Sequence, residues 1–338
     1  MRLQHIAEQV FYKPWLITPA GHLTVKKLLE SKMRMDGGPE GPAIDPGAVA
    51  AFVNPRRSAY VDGNGIGHLH ICGVIGHRLS GIEKTCGNTD VLDISNELDS
   101  LMAQGAMGIL IRVDSPGGMV TGVPELAGKI ADYATEVPIY SYTDSLMASA
   151  AYWLSCAAGR LIASPSAEIG SVGVFIPWVD QSASWGAQGL KFEPIVNEAG
   201  TFKAAGMGPS LTDAQREEFQ RQVDRLYENF SNFVIDQRRD SGAGVEFEAL
   251  QGQVVTGDEG LTLGLCDQNL DVQSAYDALA QSAGVIASYP VDWETTTPAV
   301  PAPVRPTQRR VARCVIREDE ELPEDVSLEE IIIRKKKF

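Results

Sequence analysis

Three short segments combine residue types that could do chemistry. RVDSPGG (112–118) leaves an apolar run and enters a helical pattern. Glycines at such a turn let another backbone come close, and the N–H groups freed there can hold developing negative charge. DSLMASAAYW (144–153) also follows an apolar run and opens a helix of small residues, which sets the Ser149 hydroxyl beside the N–H of Ala150. NEAGTFKAAG (197–206) places Lys203 among small and apolar residues. A serine hydroxyl becomes a useful nucleophile once a base takes its proton, and a lysine serves as that base when desolvation leaves its amine neutral near pH 7. Taken singly, each segment has a plainer reading: a tight glycine turn, a helix cap or small packing residue, an exposed loop lysine.

The distribution of bases narrows the choice. The five histidines are His5, His22, His68, His70 and His77, and none follows His77. Between Thr85 and Arg334 the lysines are Lys129, Lys191 and Lys203. Lys129 on a half-exposed helix and Lys191 at a Gly-Leu turn read as solvated charges, which leaves Lys203. Cys72, Cys86, Cys156, Cys266 and Cys314 are scattered without metal-ligand spacing, and His68 and His70 share a strand face with no further ligand nearby, so no metal is expected. Unpaired, reduced thiols point to an intracellular protein.

The 338 residues carry 29 Lys+Arg against 44 Asp+Glu, a net charge of −15, with 44% apolar residues. That balance argues against nucleic acid held on a basic surface. MRLQHIAEQVFYKPW (1–15) lacks the layout of a secretory signal. Ser145 to Gly159 falls short of the roughly 20 residues a membrane span needs, so a cytoplasmic protein without a membrane partner is expected.

The elements that must position these segments alternate in type. HLHICGVIG (68–76), MGILIRV (107–113), VPIYSY (137–142), RLIAS (160–164) and FEPIV (192–196) read as strands; 90–104, 120–133 and about 147–158 read as helices. This is the pattern of an α/β sheet covered on both faces. A long helix from Leu211 carries Thr212 and Gln215 at capping-box spacing and ends by DSGAG (240–244). Residues 1–60 read as an N-terminal extension with one amphipathic helix near Leu23 to Met33, 61–285 as the catalytic domain, and 286–338 as a Pro-rich linker and charged tail.

The order SPGG, then ASAAYW with Ser149 31 residues after Gly118, then GSVGV (170–174), then FKAAG with Lys203 54 residues after Ser149, resembles the signal-peptide-peptidase type of Ser-Lys peptidase over about Gly67 to Ala280. The resemblance implies a Clp-protease/crotonase-like α/β spiral, with a parallel sheet and flanking helices. It implies that Ser149 is the nucleophile, Lys203 the general base, and the N–H groups of Gly118 and Ala150 the oxyanion hole. Ser171 would orient the lysine amine, although a turn-stabilising hydroxyl explains Ser171 nearly as well. No cofactor is implied; a homo-oligomeric ring is.

Two departures bear on the branch. Many cellular members have Ser-Gly-Gly-Tyr where this chain has Ser149, Ala150, Ala151 and Tyr152, and they carry a membrane anchor not seen here. An N-terminal extension with FYKPWLITPAGHL (11–23) and a C-terminal tail look more like the tailed-phage capsid assembly, or head maturation, proteases. That branch acts in the host cytoplasm or procapsid interior on scaffold, portal or capsid proteins and on itself. Three other readings share the fold: a cytoplasmic signal-peptide-peptidase-like enzyme degrading peptides, an inactive scaffold or portal-binding protein, and an acyl-CoA enzyme. The last gives no reason for Lys203.

Overall fold

The computed structural model describes residues 13–26 and 58–291, apart from 86, 179, 181, 192, 201, 206–210 and 240–249. Contacts group the chain into Met1–Thr296 and Thr297–Phe338, and every described residue lies in the first unit. The described strands are β1 (Trp15–Ile17), β2 (Tyr60–Val61), β3 (Ile66–Cys72), β4 (Ile75–Gly76), β5 (Thr89–Asp90), β6 (Gly108–Asp114), β7 (Gly117–Met119), β8 (Ile139–Thr143), β9 (Leu146–Ala148), β10 (Arg160–Ala163), β11 (Glu168–Gly170), β12 (Val254–Thr256) and β13 (Gln268–Asn269).

The continuous apolar runs form a six-stranded sheet in the order β13-β10-β8-β6-β3-β2, parallel throughout except for the antiparallel edge strand β2. Successive side chains of β6 point to opposite faces, as the pleat requires. Ile109, Ile111 and Val113 enter one core and Leu110 the other. The first core is roofed by helix Val91–Ala103 through Val91, Ile94, Leu98 and Leu101, and by helix Val123–Ala134 through Val123, Leu126, Ala127 and Ile130. Asp90 caps the former by accepting from the Leu92 N–H. Helix Val272–Ser282 lays Ala275, Tyr276, Leu279 and Ala280 on the second face. The fold is therefore mixed α/β, a parallel sheet with helices on both faces.

Two smaller sheets stand beyond the large one. One has the order β1-β7-β4-β5, with β1 antiparallel to β7; the other has the order β12-β11-β9, with β9 parallel to β11. Within the expected N-terminal extension, Trp15–Ile17 pair with the body as β1. Residues 19–26 are helical, which takes in the start of the stretch expected near Leu23 to Met33; 27–33 lie outside the described residues. Of the expected strand FEPIV, residues 193–196 are irregular and exposed, and no described strand pairs with them; 192 lies outside the described residues. Helix starts at Ala150 rather than near 147, because Met147 and Ala148 pair with Ile169 and Gly170. At the far end Ser288 and Tyr289 donate backbone N–H groups to Asn64 Oδ1, so chain beyond 285 still docks on the body. GGPEGPAIDPG (37–47), the DSGAG loop, the Pro-rich linker and the tail lie outside the described residues.

Helix Asp213–Arg238 begins with the expected capping box, Thr212 and Gln215 bonding each other's backbone, and ends in a buried ion pair. Arg238, 4% exposed, makes two 2.8 Å bonds to the Asp267 carboxylate and donates from Nε to the Gly264 carbonyl. Burial alone would lower the Arg238 pKa, but the hydrogen bonds with Asp267 carry it above the usual guanidinium value. Asp267 also accepts from the Leu161 N–H, so the pair ties the long helix to β10. Removing one partner strands the other charge. Arg238→Met is expected to lower unfolding free energy by about 3–5 kcal/mol, measured by urea denaturation followed by far-UV circular dichroism.

Candidate active site

The site is built where strand ends of the three sheets meet. As β6 runs out, Ser115 donates its N–H to the Leu146 carbonyl at 2.7 Å and accepts from the Ala148 N–H at 3.1 Å, which stitches the SPGG turn to β9. Its hydroxyl donates to the Gly73 carbonyl at 2.6 Å and accepts from the Gly117 N–H at 3.1 Å, locking the turn from inside. The two glycines are required by what lies beside them. Gly117 has φ of +98°, and a side-chain carbon on Gly118 would run into the Ile75 carbonyl of β4.

Ser149 follows β9 with φ 55° and ψ −117°, a conformation that costs a non-glycine residue of order 1–3 kcal/mol. The surrounding bonds impose it. Its N–H donates to the Gly170 carbonyl at 2.8 Å, while its own carbonyl accepts from the Trp153 N–H and starts helix Ala150–Cys156. The hydroxyl makes no capping hydrogen bond. Ser171 follows the paired strand β11 in the same way, with φ 54° and its N–H on the Gln253 carbonyl. Because Ala148 and Gly170 are partners across β9 and β11, Ser149 and Ser171 stand side by side. The Ala150 nitrogen lies 3.0 Å from where a Gly117 side-chain carbon would be. The fold thus gathers Ser149, Ala150, the Gly117-Gly118 pair and Ser171: a strained serine at a helix start with the Ala150 N–H beside it and the SPGG glycines opposite, an arrangement suited to attack on a carbonyl.

Lys203 is placed differently. It sits in the turn 202–205, its N–H on the Gly200 carbonyl, with its side chain exposed and its amine in no hydrogen bond or ion pair among the described residues. The apolar surroundings expected around it are not seen among the described residues. Residues 193–197 form no strand, and Leu190, Ile195, Val196 and Phe202 are themselves exposed.

One residue was passed over because it lies far away in sequence. His22, on the helical stretch 19–26, packs edge-on against Trp15 and Phe175, and Gly21 beside it abuts Pro116 of the SPGG turn. A histidine therefore packs against the strand β1 that lies along the SPGG glycines. The pairing of β1 with β7 brings it there, and no local pattern announces that. Other groups are accounted for elsewhere. His68 bonds Asp62 at 3.0 Å and lies stacked on Tyr60. Burial pushes the Cys156 and Cys266 thiols up to about 12, so neither competes as a nucleophile.

Comparison with known proteins bears out the resemblance. Residues 131–286 match Peptidase family S49, a segment that includes Ser149, Ser171 and Lys203. The chain is 27% identical to the head-tail preconnector protein of Enterobacteria phage P21, over 64% of this chain and 43% of that one. It is 26% identical to the capsid assembly protease C of Escherichia phage lambda, over 79% and 63%. It is 27% identical to protease 4 of Salmonella typhi, over 60% and 32%. The chain thus spans between 32% and 63% of the length of these relatives.

The strain at Ser149 has a measurable consequence. Glycine adopts this backbone freely whereas alanine does not, so Ser149→Gly is expected to exceed Ser149→Ala in unfolding free energy by about 1 kcal/mol, read from urea midpoints. Equal midpoints would remove the claim of strain.

Proposed function

Since residues 131–286 match Peptidase family S49, we propose that the chain is a serine endopeptidase working through a Ser149–Lys203 dyad in a Clp-protease/crotonase-like spiral. The observation that carries this reading is the forced positive φ of Ser149, with the Ala150 N–H beside it and the SPGG glycines opposite. In this reading Ser149 Oγ adds to the substrate carbonyl as the Lys203 amine takes its proton. The N–H groups of Gly118 and Ala150 bind the oxyanion, and the protonated lysine then delivers its proton to the leaving amine. Ser171, next to Ser149, would accept a hydrogen bond from that lysine and aim it.

A base must be close to its nucleophile, and Lys203 is exposed in the single chain. A homo-oligomer supplies the missing cover. Leu190, Ile195, Val196 and Phe202 surround Lys203 in sequence as exposed apolar side chains, the kind of surface that a second subunit buries. The phage relatives direct the choice of substrate: a phage or prophage head maturation protease cutting scaffold, portal or capsid proteins and itself, in the host cytoplasm or the procapsid interior. No helix among the described residues is long and apolar enough to cross a membrane. The exposed lysine is also what an inactive scaffold protein of this fold would show, so the chemistry decides between the two.

With the chain co-expressed beside its neighbouring capsid and scaffold genes, mass spectrometry of the fragments should show cleavage in the wild type and none in Ser149→Ala or Lys203→Ala, both folded by circular dichroism. Full cleavage in either variant would remove the dyad. A serine-directed acylating probe that leaves Ser149 unmodified in every assembly state would favour the scaffold.

A further inference from the structure

β1 does not merely extend a sheet; it lies against the strand that carries the SPGG glycines. Leu16 pairs with Gly118 and Ile17 with Gly117, antiparallel, and the Thr18 N–H donates to the Pro116 carbonyl at 2.9 Å. On its other edge Trp15 exchanges both backbone bonds with Phe175, just past the GSVGV segment. In an antiparallel ladder the bonding edge alternates residue by residue. Trp15 faces Phe175, so the N–H and C=O of Leu16 face Gly118. The Leu16 carbonyl is therefore on the N–H assigned above to the oxyanion hole. A side-chain carbon on Gly117 would strike that carbonyl while standing 3.0 Å from the Ala150 nitrogen, so both flank the same point. Side chains along β1 alternate too: Leu16, 0% exposed, joins the main core, while Trp15 and Ile17 fill a small cluster with Val25, Val74, Met119 and Phe175. With β1 seated, Ser149 is 1% exposed.

We propose that Trp15–Ile17 is a resident, substrate-like ligand of this chain's own peptide slot. An extended segment lies between β7 and Phe175, with Leu16 in the position of the residue whose carbonyl is attacked. The slot binds extended peptides that place a large aliphatic side chain where Leu16 now sits, and a substrate gains it only by displacing β1. Gly117 is glycine because a chain must pass there, whether its own or a substrate's. This rests on reading Ser149 as the nucleophile and adds the occupant and the preferred side chain.

The test uses full-length protein and a fluorescein-labelled peptide of residues 13–19, KPWLITP, followed by fluorescence anisotropy. A site vacant only part of the time binds with an affinity reduced by its vacant fraction, so peptide binding is expected about tenfold tighter to Leu16→Asp than to wild type. Trp15→Ala, which perturbs the small cluster and not the main core, is expected to shift binding the same way. It keeps the test decisive if Leu16→Asp fails to fold. The acylating probe should label Ser149 faster in both variants, and unlabelled peptide should slow that labelling. Equal peptide affinity in wild type and a folded variant, or no binding to a folded variant, overturns the proposal. Tighter binding with no acylation of Ser149 would instead uphold the slot and remove the nucleophile.

Discussion

One hydrogen bond organises the site: the Ser149 N–H to the Gly170 carbonyl, at the point where β9 and β11 end together. It turns the serine out of the strand before the helix has begun and leaves φ at 55°. The cost is met by what surrounds it. All seven residues of helix Ala150–Cys156 are buried, Trp153 stacks on Phe230 with ring centroids 4.6 Å apart, and the Tyr152 hydroxyl donates to the Leu265 carbonyl at 2.8 Å. A helix gripped on several sides cannot relax to relieve one residue, so the strain persists where chemistry would use it.

That grip reaches across the molecule. Phe230 belongs to the helix that ends in the Arg238–Asp267 pair, and Asp267 is tied through the Leu161 N–H to β10, the strand that follows the serine helix. These polar bonds thus bear on the elements around helix Ala150–Cys156. The opposite end of the sheet is organised separately. There burial pushes the Asp62 carboxyl up, yet bonds from His68, Tyr276 and the Ile66 N–H outweigh this and hold it below the ordinary range. Asn64 bonds both Tyr276 and the Ser288–Tyr289 backbone, fixing the chain's course as it leaves the last helix.

Backbone geometry and side-chain proximity separate into two classes at this site. The serine turn, the glycine pair and the Ser171 turn are dictated within one chain by strand pairing and are already formed. The lysine is not, because its segment is bounded by exposed apolar residues and no described strand holds it. Under the proposed dyad, a serine preset by local strain and a lysine covered only by a second subunit would keep the site silent until assembly, and β1 along β7 would act in the same direction.

Much of the chain was legible without coordinates, because the signals are local. Val91, Ile94, Leu98 and Leu101 face one core as their spacing demands, the Thr212 and Gln215 capping box forms, and GILIRV is a central strand. The motif order was enough to single out Ser149, Ala150, Gly118 and Ser171, which the fold brings together. Local pattern misled where pairing was needed: FEPIV has strand composition, yet 193–196 have no partner among the described strands, and Leu146–Ala148 has helical composition but pairs with β11. The reach of the N-terminus was invisible for the same reason. By itself the sequence determined which residues could carry the chemistry and in what order, since residue type and spacing belong to the chain. Only the tertiary structure decided which of them meet, that the Lys203 side chain is exposed, and that Leu16 lies on Gly118, because contacts between distant segments depend on strand register and packing.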